Sequence, residues 1–472
     1  MRGRLLVACL CLAGMVVSLQ QTLVIPLLPE LPRLLDTTVA GASWLVTATL
    51  LTGAVSTPVL TRLADMVGKR RIVVVCLAAV AASGLLGALA PSLPGAVAAR
   101  AIAGLGVPLV PISVAIFREE LPDGRLPGRV ALLSSTLAVG TGAGLPLAGV
   151  MAEVLDWRAA FWISGAAALV MIFAVLRLVP PGKGRAPGRF DLPGAVLLAA
   201  ALVALLLPLT QGGTWGWTSR PVIALAAGAV LAAVLWIMLE LRVRHPLVDI
   251  RTSVRPAVLS ANTASLLIGF SMFMNMLLTS QLLQLPARDG AGLGMDPLRA
   301  GFWMTPIALA FGLLAPVSSP VTRRFGAHTT LAAGALLMSV AYVGRAFLSH
   351  GLWQIIAASI VVTIGSAFTY AALPVAVMRA VPPWQTSSAN GLNNLLRSMG
   401  TCVSSAVMAA VSASAAVRTA GGMTPRPHAF TALFLLGAFA AFAAFLVTLP
   451  LLRRPGLHPP VVEPHAGYAC RS

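Results

Sequence analysis

The groups best suited to pass a proton through a protein are carboxylates and histidines, and this chain keeps them out of its apolar stretches. It has 14 Asp and Glu and 6 His in 472 residues. The acids, from Glu30 to Glu463, all fall in polar connections, in tails or near the ends of apolar runs, and so do the histidines. A coupling group must gain and lose a proton while facing each side of a barrier in turn, which normally takes a buried carboxylate or histidine. The acids left as candidates for proton coupling are Glu30, Glu153 and Asp65. Two cations, in contrast, sit inside apolar runs: Arg100 and Arg397. An arginine in hydrocarbon costs about 2.5–3.5 kcal/mol on insertion scales, so it faces a cavity or a partner. Amides accompany them. Gln20 and Gln21 interrupt "VVSLQQTLVIPLLP", and Asn262, Asn275, Gln281 and Gln284 share one later run. Asn390, Asn393 and Asn394 lie at i, i+3 and i+4, on one helical face near Arg397. Gln20, Gln21, Asn262 and Arg397 are the candidate substrate-pathway residues. Polar groups without a carboxylate suit neutral or anionic apolar organic molecules better than lipophilic cations.

Composition explains the scarcity of charge. The chain is 58% hydrophobic and 10% charged, with mean hydropathy +0.90, whereas soluble domains average about 25% charged residues. Apolar runs recur at 5–27, 41–60, 72–90, 93–117, 129–152, 158–178, 191–211, 220–240, 257–284, 299–318, 329–348, 352–378, 389–415 and 428–450. At about 1.5 Å per residue each of the fourteen can span roughly 30 Å of hydrocarbon. The expectation is an all-α polytopic membrane protein. Strict two-residue alternation is absent, which excludes a barrel. The net charge of +19 comes from dispersed arginines with only two lysines, Lys69 and Lys183. Without a contiguous basic stripe on a soluble domain, no nucleic-acid partner is expected. The five cysteines, Cys9, Cys11, Cys76, Cys402 and Cys470, have no metal-ligand or CxxC spacing, so no metal or cofactor is expected. The opening "MRGRLLVACLCLAGMVV" reads as a retained first span rather than a cleaved leader.

Orientation follows from the basic residues. With a cytoplasmic N-terminus, most of the 33 Lys and Arg fall in inner loops and tails. The outer side then holds Arg33, Arg158, Arg220, Arg288, Arg299, Arg345, Arg418 and Arg426. Both termini are expected in the cytoplasm and the chain in the cell membrane, acting as a monomer. An internal echo divides it. "PVLTRLADMVGKRR" places Pro58 ten residues before Gly68, and "PVSSPVTRRFGAH" places Pro316 ten residues before Gly326. The expected organisation is a six-helix bundle over 1–180, two inserted helices over 181–250, a second six-helix bundle over 251–452 and a cytoplasmic tail over 453–472. A duplicated unit of this kind is a transporter architecture with its substrate site between the halves.

Three motifs sharpen this. "TRLADMVGKRR" resembles the loop between helices 2 and 3 of the major facilitator superfamily, G-x-L-a-D-r-x-G-[RK]-[RK]. Leu63, Asp65, Gly68, Lys69 and Arg70 match, and Thr61 departs from the leading glycine. Gly68 permits a tight turn, and Asp65 is suited to cap a helix or pair with a cation. "ARAIAGLGVP" resembles the R-x-x-q-G-x-g pattern through Arg100, Gly104 and Gly106. "GTGAGLPLAG" resembles the antiporter motif through Gly140, Gly144, Pro146 and Gly149, with Leu145 in place of a glycine. The following "DWRAAFW", with Trp157, Arg158, Phe161 and Trp162, looks like the fourteen-helix drug:proton antiporter family, as do "GGTWGWTS" and "SANGLNNLLRSMGT".

The resemblance implies a major facilitator fold of two six-helix bundles with two inserted helices. It implies a loop at 61–71 that latches the halves on the cytoplasmic side. It also implies export of small hydrophobic organic compounds through the bilayer by proton-coupled alternating access. The family often keeps an aspartate in helix 1 where this chain has Gln20, which does not titrate. That departure leaves a uniporter or importer as an alternative. A polytopic membrane enzyme would need a catalytic His/Asp or metal cluster at a membrane face, and the sequence displays none.

Overall fold

The computed structural model describes residues 2–22, 36–37, 39–90, 92–122, 126–154, 158–182, 190–243, 246–285, 292–295, 297–314, 317–348, 351–414, 416–419, 422–425 and 427–452. Helices occupy the positions of all fourteen apolar runs. The N-terminal half contains α1 (Arg2–Thr22), α2 (Val39–Val67), α3 (Lys69–Leu89), α4 (Leu93–Gly104), α5 (Leu109–Glu120), α6 (Leu126–Val154) and α7 (Arg158–Leu178). Next come α8 (Leu192–Trp215), α9 (Arg220–Glu240) and the short α10 (Ile250–Ser253). The C-terminal half contains α11 (Pro256–Gln284), α12 (Pro297–Leu314), α13 (Ser318–Phe325), α14 (Ala327–Phe347), α15 (Leu352–Ala380), α16 (Thr386–Ser414) and α17 (Pro427–Leu452). Among the described residues 12 helices are long and apolar enough to cross a membrane, or 13 spans if the pair α12–α13, bent by 41°, counts as one. The helix α6 fills the remaining position, with several of its side chains outside the description.

Helix breaks follow from local chemistry. The run at 93–117 forms two helices joined by a turn over 105–108. Pro108 ends that turn, because proline lacks the N–H that a continuous helix would need there. The two glycines of the internal echo sit at matching breaks. Gly68 lies between α2 and α3 with φ 117°, and Gly326 between α13 and α14 with φ 89°. That left-handed region favours glycine, so the echo in the sequence is an echo in backbone geometry. Pro316 lies outside the described residues. A two-stranded antiparallel hairpin, Ala416–Thr419 with Gly422–Pro425, joins α16 to α17 and had no signal in the hydropathy pattern.

Helix packing falls largely into two groups. In the N-terminal half α1 packs on α6 and α7, α2 on α4, and α3 on α4 and α7. In the C-terminal half α11 packs on α15, α16 and α17, and α14 on α15 and α17. A large buried core centred on the N-terminal half also takes in Val375, Ala376, Val377 and Met378 of α15, and a second core lies within the C-terminal half. The halves meet where α2 and α5 contact α16 and where α6 contacts α12 and α15. The inserted helix α8 lies along this seam, and its Leu198, Leu202 and Leu206 share a core with Ala54 of α2 and Leu395 of α16. Its partner α9 is outermost. Ile223, Val230 and Leu231 of α9 are each more than half exposed, the surface that a hydrocarbon solvent requires.

Candidate functional site

The motif at 61–71 lies at the end of the molecule that carries the Arg- and Lys-rich loops, called the basic end below. There Asp65, on the last turn of α2, reaches into the other half. Its Oδ2 accepts hydrogen bonds from the Ser388 backbone N–H and from Ser388 Oγ, both at 2.9 Å. Ser388 is in the first turn of α16, whose N–H groups have no partner within their own helix. A carboxylate there satisfies a donor and meets the positive end of the helix dipole. On the opposite side Lys69 Nζ lies 3.5 Å from Asp65 Oδ1 and pairs with Glu119. Arg118 adds a second tie between the halves, donating to Thr386 Oγ1 at 2.7 Å and to the Val381 carbonyl at 3.1 Å. Arg70 stays within its own half on the Leu176 carbonyl, and Leu63 packs against the N-terminal core. At Thr61, where the family pattern has glycine, the space comes from the facing helix: a Cβ added at Gly391 would lie 2.4 Å from Thr61 Oγ1.

Arg100 is 2% exposed and has no carboxylate partner among the described residues. Its Nη1 donates to the Gln20 carbonyl at 3.0 Å, Nη2 to the Gln21 carbonyl at 3.4 Å, and Nε to the Leu45 carbonyl at 3.4 Å. Gln20 and Gln21 belong to the last turn of α1, where carbonyls have no intrahelical partner and the dipole is negative. The arginine therefore closes a helix end, joining α1, α2 and α4. The Gln20 side chain turns away from the seam and donates from Nε2 to Ser83 Oγ of α3 at 3.0 Å. It is buried and links two helices rather than lining an open path. Gln21 is half-buried. The motif glycines are contact points. A Cβ at Gly104 would meet the Gly53 N and Thr49 O at 2.7 Å, and one at Gly106 would meet Val80 at 2.6 Å. One at Gly140 would meet Ser18 Oγ at 2.4 Å. Gly144 is buried, while the side-chain surroundings of Pro146, Gly149 and Glu153 on α6, and all of Glu30, lie outside the described residues.

Arg397 lies between the halves. Its guanidinium stacks 4.1 Å over the Tyr370 ring, donates to Tyr370 Oη at 3.2 Å and bonds Asn394 Oδ1. Asn390, Asn393 and Pro111 face the same central space, which has a volume of about 20 Å³. That is room for about one water. Asn262 does not join this group. It accepts from Asn393 at 3.1 Å and faces a separate cavity at the basic end. The arginine that hydropathy hides is Arg345. Placed by its position near the end of a span among outer-loop residues, it is instead 0% exposed. It bonds Asn275 Oδ1, donates to Thr279 Oγ1 at 3.1 Å, and lies 4.8 Å from the centroid of the Phe434 ring. The signal available was Asn275 with Thr279 one helical turn away, a polar pair that needs a partner inside an apolar helix.

The comparisons agree with this geometry. A family model described as the Major Facilitator Superfamily matches residues 10–405 and 259–467. Multidrug resistance protein Stp of Mycobacterium tuberculosis (strain CDC 1551 / Oshkosh) is 25% identical over 390 residues, covering 82% of this chain and 72% of that protein. Cephamycin export protein CmcT of Amycolatopsis lactamdurans is 29% identical over 451 residues, 94% of this chain and 90% of that one. The crystal structure of the human organic anion transporter MFSD10 (TETRAN) superposes with a TM-score of 0.68 at 16% identity, covering 94% of this chain and 99% of that one. At that identity the likeness speaks for the fold alone. With the duplicated bundles, the matching glycine breaks and the Asp65 tie between them, these matches establish that the chain belongs to the major facilitator superfamily.

Proposed function

We propose that the protein is a secondary transporter that exports small hydrophobic organic compounds, drugs or natural products, by alternating access. The observation that carries this reading is the state of the seam. At the basic end the halves are joined by Asp65 and Arg118 on α16 and its approach, while the space beside Arg397 is too small for an organic solute. A closed end next to an occluded centre is one stage of a cycle in which the seam opens to each side in turn. The names of Stp and CmcT, resistance and export, support the outward direction. By the positive-inside rule the basic end faces the cytoplasm, with both termini on that side of the cell membrane. Protons are the coupling ion, taken up at Glu30, Glu153 or Asp65, and the substrate is neutral or anionic.

The test is accumulation of a chemically diverse panel in an efflux-deficient host. An exporter lowers accumulation of at least one apolar compound, and an uncoupler restores it. Faster equilibration without lowered steady-state accumulation, unaffected by the uncoupler, would favour the uniporter reading, which rests on Gln20 standing where the family often has an acid. Reconstituted Glu30→Gln, Glu153→Gln and Asp65→Asn variants then locate the coupling group through loss of transport driven by a pH gradient.

A further inference from the structure

A cavity of about 240 Å³ opens at the basic end, between Arg62 of α2, the connector at 246–249 and the start of α16. Three features of its wall favour an anion. Arg62 is 9% exposed, and among the described residues no carboxylate lies within 4.0 Å of its guanidinium. A buried cation without a counter-charge is costly. The one acid in the wall, Asp249, is occupied: Thr252 donates to it from the backbone N–H at 3.0 Å and from Oγ1 at 2.6 Å. Asn262 uses its Oδ1 to accept from Asn393, which leaves its amide donors for the cavity it lines. Gln385, just before α16, and Ser388 in its first turn face the same space, with the Ser388 N–H and Oγ already donated to Asp65. The rest of the wall, including Leu247, Val258 and Leu392, is apolar, and Trp384, 47% exposed, stands at the mouth.

We infer that this cavity binds the anionic group of an amphipathic organic acid, with Arg62 as its counter-charge, Asn262 as a neutral donor and Trp384 against its apolar body. Drug-sized pockets run to roughly 300–1,000 Å³, so the cavity takes the charged end while the remainder extends past Trp384. The occupant touches α2 and α16 together and so bridges the same two halves as Asp65. The acid comes either from solution or from an anionic lipid whose headgroup enters the cavity. Neither source depends on the direction of transport, so the inference stands or falls apart from the export reading.

The test uses the full chain purified in a neutral maltoside detergent, with 1-naphthoate as probe and the uncharged 1-naphthalenemethanol as control. Binding is read by calorimetry and by quenching of tryptophan fluorescence. Naphthoate is expected to bind saturably and at least tenfold more tightly than the alcohol. Arg62→Gln should abolish that preference, Arg62→Lys should retain part of it, and Trp384→Phe should remove most of the quench while binding persists by calorimetry. Repeating the titration in nanodiscs separates the sources. Competition by phosphatidylglycerol but not by phosphatidylcholine identifies a lipid headgroup as the occupant, and no competition identifies a solute. Equal affinity for acid and alcohol in the unaltered protein, or an acid preference that survives in monodisperse Arg62→Gln, overturns the inference. The first of these needs no variant, so a misfolded substitution does not rescue the idea.

Discussion

Arg100 in the N-terminal half and Arg345 in the C-terminal half are both 2% exposed or less, yet they are held in opposite ways. Among the described residues Arg100 donates only to main-chain carbonyls, two of them at the end of α1. Arg345 is held by side chains, Asn275 and Thr279 of α11, beneath the Phe434 ring of α17. A helix end offers a diffuse negative charge that any nearby cation can meet. An amide, a hydroxyl and a ring in fixed positions require the planar fork of a guanidinium. The N-terminal arginine thus depends on where α1 ends, whatever its side chains, and the C-terminal one on the identity of three residues. The two hold a cation in an apolar bundle by unlike means.

That difference predicts unequal losses. Arg345→Leu should cost about 3 kcal/mol or more, since it removes charge-assisted bonds and leaves Asn275 and Thr279 short of a buried partner. Arg100→Leu should cost about 2 kcal/mol, because carbonyls at a helix end are more easily satisfied by water or neighbours. Lysine separates the two sites more sharply. Arg100→Lys should recover most of the lost thermal stability in detergent, and Arg345→Lys little of it. Equal recovery at both positions would remove the distinction between a helix-end charge and a side-chain socket.

The tie at the basic end combines the two modes: Asp65 meets a helix end, but across the seam. Asp65→Ala should weaken it by about 1–2 kcal/mol, the range for losing a helix cap with its charge. Asp65→Asn keeps a capping oxygen and should weaken it by less. Ser319→Cys is a suitable reporter. Ser319 is buried on α13, and a Cβ added at Gly128 of α6 would lie 3.1 Å from its Oγ, so it senses the same end from a different contact. With Cys470 replaced by serine, maleimide labelling of this cysteine should rise up to about tenfold in Asp65→Ala, since 1.4 kcal/mol corresponds to tenfold. Unchanged labelling would mean that Asp65 stabilises α16 without holding the seam closed.

Much of this was legible from residue types alone. Hydropathy located every helix that crosses, because a run of apolar residues near 20 long has few other solutions in lipid. Spacing located the Gly68 and Gly326 breaks, because positive φ selects glycine. The expectation that Asp65 caps a helix was also open to sequence, but not that the N–H it accepts from lies 323 residues later in the chain. Arg345 was not legible. It lies near the end of its run, where an arginine usually reaches water. Its burial depends on partners 66 and 70 residues earlier in the chain and on α17. The break at 105–108 was missed for a simpler reason: Pro108 carries no mark in a hydropathy profile.

The smallest effect is expected at Gln20, and it tests the Arg100 side of the comparison most directly. Arg100 bonds the Gln20 carbonyl, while the Gln20 amide bonds Ser83 on the other side. If the arginine reads only the backbone, Gln20→Leu costs the Ser83 bond alone, about 1 kcal/mol, and leaves the cost of Arg100→Leu unchanged in a double-mutant cycle. A coupling energy above about 0.5 kcal/mol would show that the Gln20 side chain helps to place the carbonyl that Arg100 uses. Gln20→Asp extends the same cycle. It puts a carboxylate beside Ser83 on the buried turn whose main-chain carbonyl Arg100 already holds. If that variant strengthens proton dependence of transport, the site tolerates the acid that this chain lacks. If it only lowers stability, the Ser83 contact is what holds Gln20 in place.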